Sequence, residues 1–128
     1  SGADAMKFRL ILMVLGWRLA WLAGRDEGFR KQLAHRDVVM QWRTFNGGVA
    51  RWYHFQPDRV TSRRGLHPTP SVTLNFKDAD YAFRTLKASG KNQMAFMEGM
   101  QAGDIKVEGD PGHLMWFMTL MKFILPKR

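Results

Sequence analysis

Cysteine is absent from this chain of 128 residues, which excludes a disulfide framework, a thiolate nucleophile and a Cys-containing zinc site. That usage fits a reducing compartment, so the expected location is cytoplasmic, with peripheral attachment to a membrane left open. The four histidines, His35, His54, His67 and His113, lack HExxH or any comparable ligand spacing, so neither a metal nor another cofactor is expected. No GxSxG elbow surrounds Ser62, Ser71 or Ser89, and Asn46-Gly47-Gly48 lacks the Walker spacing. Asp78 and Asp80 form the one acidic pair of interest, and their place at a helix start makes capping the simpler role. The expectation is therefore a protein without enzyme activity. A membrane span is missing as well. The longest charge-free run near the start, Leu10 to Trp17, is broken by Arg18, far short of the roughly 20 residues a spanning helix needs. A signal peptide is the competing reading, because Lys7 and Arg9 precede an apolar stretch. Arg18 breaks that pattern too, while a helical pattern continues through it.

Acidic residues are few: 11 against 20 lysines and arginines, a net charge of +9 and a pI near 10.5. Such a balance points to an acidic partner, either nucleic acid or an anionic membrane surface. The length suits one domain with a real core. Residues 1–5, ahead of the first methionine, read as an expression remnant, residues 6–25 as an apolar N-terminal helix, and residues 26–128 as a single binding domain. At about 100° per residue, Lys7, Arg18 and Arg25 fall on one line of that helix, with apolar residues around most of the rest. Such a helix must bury nearly all its circumference against protein, lipid or another subunit. Gly24 is its expected cap, and Asp26 starts a second helix over 27–35 with Phe29 and Leu33 on one face.

Period two then takes over. Val38, Met40 and Trp42 share one face of a strand over 38–45, Asn46-Gly47-Gly48 turns the chain, and an aromatic-rich return strand runs over 49–56 with either face a candidate for burial. Pro57-Asp58 leads to a polar strand over 59–64. After the loop 65–70, residues 71–77 alternate with Val72, Leu74 and Phe76 inward. Four strands with short connections imply an antiparallel sheet covered on one face. Asp78 caps a helix to about Ala88, with Ala82, Phe83 and Leu86 inward. Asn92 caps a helix bearing Met94, Met97 and Met100, Gly103 ends it, and a fifth strand spans 104–108. Asp110 and Pro111 start a final helix to about Leu125, closed by Pro126.

Two features invite a binding function. Arg51, Arg59, Arg63 and Arg64 lie on neighbouring strands beside Trp52 and Tyr53, an interleaving seen on single-strand nucleic-acid platforms. No readout motif accompanies them, so nucleic acid is the weaker partner. A solvated face, or one meeting anionic headgroups through Lys7, Arg18, Arg25, Arg63 and Arg64, explains the same charges. The second feature is methionine: six of nine fall between Lys91 and Leu125. The final helix is polar only at Thr119 and Lys122 beyond its first turn, far greasier than the apolar stripe of an ordinary surface helix. Methionine adapts to guests of varied shape, so an apolar cavity competes with simple core packing. Burial of the first and last helices in a homodimer or partner complex is the remaining option.

The alternating strand SVTLNF, the segment KDADYAFRTLKASGK, the helix NQMAFMEGMQAG and the run DIKVEGDPGHLM together resemble a sterol-carrier-protein type lipid-binding domain, of the stand-alone bacterial kind. The likeness spans about residues 26–125. It implies an α/β (α+β) fold with a five-stranded, mainly antiparallel sheet covered by helices, enclosing an apolar tunnel. It also implies non-enzymatic binding and transfer of a fatty acyl chain, sterol or isoprenoid, with an accessory role in ubiquinone biosynthesis for some similar bacterial proteins. By position, the lining would be Leu74, Phe76, Phe83, Leu86, Met94, Met97, Met100, Leu114, Met115, Met118 and Met121. The chain departs from the family pattern in its long first helix and in ending Pro126-Lys127-Arg128 rather than in a peroxisomal Ser-Lys-Leu.

Overall fold

The computed structural model describes residues 1–92 and 94–126. Its first element, α1 (Gly2–Arg25), runs one residue beyond the expected glycine cap. The chain turns instead at Asp26, whose extended backbone closes α1 and whose side chain accepts from the Phe29 amide to start α2 (Glu27–Gln32). One residue thus stops one helix and caps the next. The sheet follows: β1 (Val38–Thr44), β2 (Ala50–Gln56), β3 (Arg59–Arg64) and β4 (Val72–Phe76). Then come α3 (Ala79–Ser89), α4 (Ala95–Ala102), β5 (Ile105–Gly109), α5 (Pro111–Thr119) and α6 (Met121–Ile124).

The five strands lie in the order β3-β2-β1-β4-β5. Three neighbouring pairs are antiparallel, but β1 and β4 run parallel, with Met40 opposite Val72 and Trp42 opposite Leu74. The sheet is therefore mixed and open, where the sequence suggested four antiparallel strands. Residues 65–71 explain the difference. Since β3 and β4 both run parallel to β1, this segment must return across two strands before β4 begins. It does so over the face away from the helices. The His67 amide donates to Gln41 Oε1 at 2.7 Å, Gln41 Nε2 donates to Thr73 Oγ1, the His67 ring meets Trp52 edge-on, and the Ser71 amide donates to the Val39 carbonyl. Val39 and Gln41 are buried for that reason.

Val38, Met40, Trp42, Tyr53, Phe55, Leu74 and Phe76 form the helix-covered face, which settles the facing of β2. Helix α1 packs into the same core through Phe8, Leu12, Leu19 and Leu22. Its close approach depends on Gly16, where a Cβ would sit 3.0 Å from Ser62 Oγ and 3.3 Å from the Tyr53 ring. There the Tyr53 hydroxyl donates to the Leu12 carbonyl at 2.5 Å, tying α1 to the sheet.

Two further helix starts follow the sequence closely. Asp78 caps α3 through the Tyr81 amide, and Asp110 with Pro111 begins α5. The expected final helix, however, breaks at Leu120. Thr119 Oγ1 donates to the Trp116 carbonyl at 2.6 Å, and the Leu120 amide bonds Phe117 rather than Trp116. A threonine that bonds back to its own helix often bends it, and α6 begins after this break.

Candidate functional site

Behind Trp42, between α1, α3, α4 and the α5–α6 junction, the helical layer leaves a half-open cavity of two adjoining lobes. The smaller, about 430 Å³, is walled by Ile11, Val14 and Leu15 of α1, by Leu86, Phe96 and Phe117, and by Met121, Ile124 and Leu125. Arg18 is the one charged residue on that wall among the described residues. The larger, about 830 Å³, is lined by Met94, Met97, Met115, Met118 and Met121, with Lys122 and Thr119 at its edge. Ser89, Phe96, Met121, Leu125 and Pro126 border both lobes and mark the neck where the two meet.

Six of the eleven expected lining residues, Leu86, Met94, Met97, Met115, Met118 and Met121, meet here. The other five do not. Leu74, Phe76 and Leu114 are sealed in the packed core, with Phe76 stacked at 6.0 Å on Trp42. The sheet thus supplies only Trp42 to the cavity, because the aromatic layer on its inner face fills the space above β4. Met100 packs against the core under α4. Phe83 turns to the α1 side, where the Lys7 and Lys87 ammonium groups lie 5.9 Å from its ring centre. The α1 residues Ile11, Val14 and Leu15 were missed by sequence reasoning. The signal was present, since they lie at i, i+3 and i+4 on the longest helix.

Trp42 closes the inner end, ringed edge-on by Tyr53, Phe96 and Phe117. Its buried indole N–H has no hydrogen-bond partner among the described residues. Tyr53, on the sheet beneath, is held neutral: burial pushes its phenol up, and the Arg51 charge offsets only part of that.

The basic residues do not form one surface. Arg63 pairs with Trp52 on the outer face, while Arg51 pairs with Arg64 on the other, where Tyr53 is buried. The interleaved platform a nucleic acid would need is therefore split between faces. Lys7 and Arg25 are exposed on α1. Arg18 is half-buried, with Nε donating to the Ile124 carbonyl and Nη2 to the Phe123 carbonyl, both at 3.1 Å. Among the described residues, no group of acidic, histidine and cysteine side chains is placed to hold a metal ion. No described helix is long and apolar enough to cross a membrane.

No protein-family model matches the sequence, and no curated protein matches it. Solved structures do. The chain is similar to a ubiquinone synthesis protein described as UbiJ-SCP2, at 12% identity and TM-score 0.68, covering 91% of this chain and 96% of that one. A palmitated SCP2L2 from Aedes aegypti aligns at 14% identity and TM-score 0.53, over 84% of this chain and 90% of that one. A stereoselective inverting sec-alkylsulfatase from Pseudomonas shares the architecture at 18% identity and TM-score 0.58, over 71% of this chain but only 14% of the enzyme. The element order, the mixed five-stranded sheet and the helical cover over its inner face are those of the sterol carrier protein fold, and this chain has that fold.

Proposed function

We propose that this chain is a non-enzymatic carrier that holds one long apolar lipid in its two-lobed cavity and exchanges it with membranes. The observation that carries the reading is the cavity itself. Protein interiors pack as densely as organic crystals, with few voids larger than a water molecule. Adjoining apolar lobes of about 430 and 830 Å³ are in the range of ligand sites, roughly 300–1,000 Å³. The five methionines of the larger lobe give a wall that repacks around tails of different shape, favouring a class of lipids over a single species. A fatty acyl chain is supported by the palmitated neighbour, and an isoprenoid or quinone precursor by the neighbour named for ubiquinone synthesis.

Uptake of a fluorescent fatty acid tests this directly. The wild-type chain should saturate at one ligand per chain. Met118→Asp, which sets a carboxylate on the wall of the larger lobe, should weaken uptake at least tenfold with little change in melting temperature. Equal uptake by the folded variant would remove Met118 from the ligand's path. A second reading, an interaction subunit that buries α1 in a homodimer, is favoured by the exposed apolar residues of α1; sedimentation at micromolar concentration distinguishes it by mass.

A further inference from the structure

Helix α1 leaves Met6, Leu10, Val14, Trp17 and Trp21 uncovered, Trp17 at 63% exposure and Trp21 at 53%. At about 100° per residue these five fall within roughly 80° of one another, so they form one stripe. Lys7, Arg18 and Arg25 run along one border of it and Arg9 along the other. Between Met6 and Arg25 the helix carries no acidic residue. Paired tryptophans with flanking cations suit a helix lying in the plane of a bilayer interface. A second copy of the chain would set these cations against their like.

The stripe also borders the cavity, for Val14 belongs to both, and Arg18 beside it lines the smaller lobe. Across the mouth lies α6, which buries none of its residues. Phe123 rests edge-on against Phe29, and Leu125, just past the helix, lies against Gly90. The last carbonyls of a helix need donors from outside it. Here Arg18 supplies two, to Phe123 and Ile124.

We infer that the exposed face of α1 docks on an anionic bilayer, and that a lipid phosphate drawing the Arg18 guanidinium away from α6 frees this helix and opens the cavity to the membrane. A planar guanidinium prefers a phosphate to neutral carbonyls, so the same group that holds α6 over the half-open cavity in solution releases it at the surface. This inference rests on the carrier reading.

The test uses the whole chain with phosphatidylcholine vesicles, with and without phosphatidylglycerol, or with inorganic phosphate alone. The protein should float with the anionic vesicles only, and exchange of the Phe123, Ile124 and Leu125 amides should then quicken at least tenfold, since both Arg18 hydrogen bonds are lost and each alone is worth about that factor. Inorganic phosphate should leave it unchanged. Arg18→Lys keeps the charge but loses the two-pronged fork. It should float like the wild type, with those amides already exchanging about tenfold faster in solution. Equal flotation with neutral vesicles, unchanged exchange on anionic ones, full protection in Arg18→Lys, or a dimer that covers the α1 stripe would each overturn the inference. Should Arg18→Lys melt early, the wild-type comparison with and without anionic vesicles decides alone. Uptake of fluorescent fatty acid, read on the same samples, separates the two levels. Saturable uptake with α6 unmoved sinks the latch and spares the carrier, whereas absent uptake sinks both.

Discussion

Met121 borders both lobes, so a bulky ring at this position should cut the cavity in two. Met121→Trp is the informative change, because it blocks the neck with an apolar group and adds no charge. Consider a ligand whose head sits near Arg18 and whose tail runs through the smaller lobe towards the methionines. Each buried methylene contributes about 0.8 kcal/mol, or roughly fourfold in affinity. In the wild type that gain continues as the tail lengthens through the neck. In Met121→Trp it should stop there. For a tail reaching about four methylenes into the larger lobe, the variant forfeits about 3 kcal/mol, roughly two-hundredfold, while tails ending before the neck bind both proteins alike. Displacement of a fluorescent fatty acid by a series of saturated acids gives both curves, with melting temperatures recorded in parallel. Parallel curves for the two folded proteins would refute a ligand path through the neck, as would a wild-type plateau at the same tail length as the variant.

Three further outcomes follow from the packing. Tyr53 has a raised phenol pKa in the folded state against about 10 when unfolded. Its contribution is therefore complete below about pH 10 and is lost above it at about 1.4 kcal/mol per pH unit; urea melts of Tyr53→Phe should lack this slope. At neutral pH the same variant should be less stable by about 1 kcal/mol, since the Leu12 carbonyl loses its bond to the hydroxyl. Gly99 faces Ile105, and a Cβ there would lie 2.7 Å from its Cδ1 and closer still to the Tyr81 hydroxyl; Gly99→Ala should cost about 1–3 kcal/mol in a thermal or urea melt.

The caps of α3 and α5, the hairpin turns and the alternation of β4 were legible in the sequence because each rests on a few adjacent residues. The caps expected at Gly24 and Asn92 were not, since α1 ends at Asp26 and α4 starts after Met94 with no side-chain cap. Asp78, Asp110 and Gly103 act where their chemistry puts them. The parallel pairing of β1 with β4 was not legible, since it depends on the path of residues 65–71 over the outer face and on a hydrogen bond from His67 to Gln41, 26 positions away. The break at Thr119 was hidden because hydropathy alone reads straight through it.

The cavity shows the same division. Met97 of α4 and Met115 and Met118 of α5 could be placed by helical spacing and do line the larger lobe, whereas Met100, one turn on, packs against the core. Leu74 and Phe76 face inward as their alternation requires, yet facing inward is not lining a cavity. The aromatic layer of Trp42, Phe76, Phe96 and Phe117 seals them off. The first helix was read as wrapped on nearly all sides, but the fold covers only one of its faces. That left unforeseen both the part played by Ile11, Val14 and Leu15 in the cavity and the length of the open stripe beside it.

Native mass spectrometry of the gently purified chain is the most direct test that it carries a lipid. The account predicts a population heavier than the 14.8 kDa polypeptide by one apolar molecule of lipid mass, which dissociates on activation and returns when the stripped protein is offered long-chain fatty acid. A chain consistently free of lipid, with no saturable uptake when offered one, would contradict it.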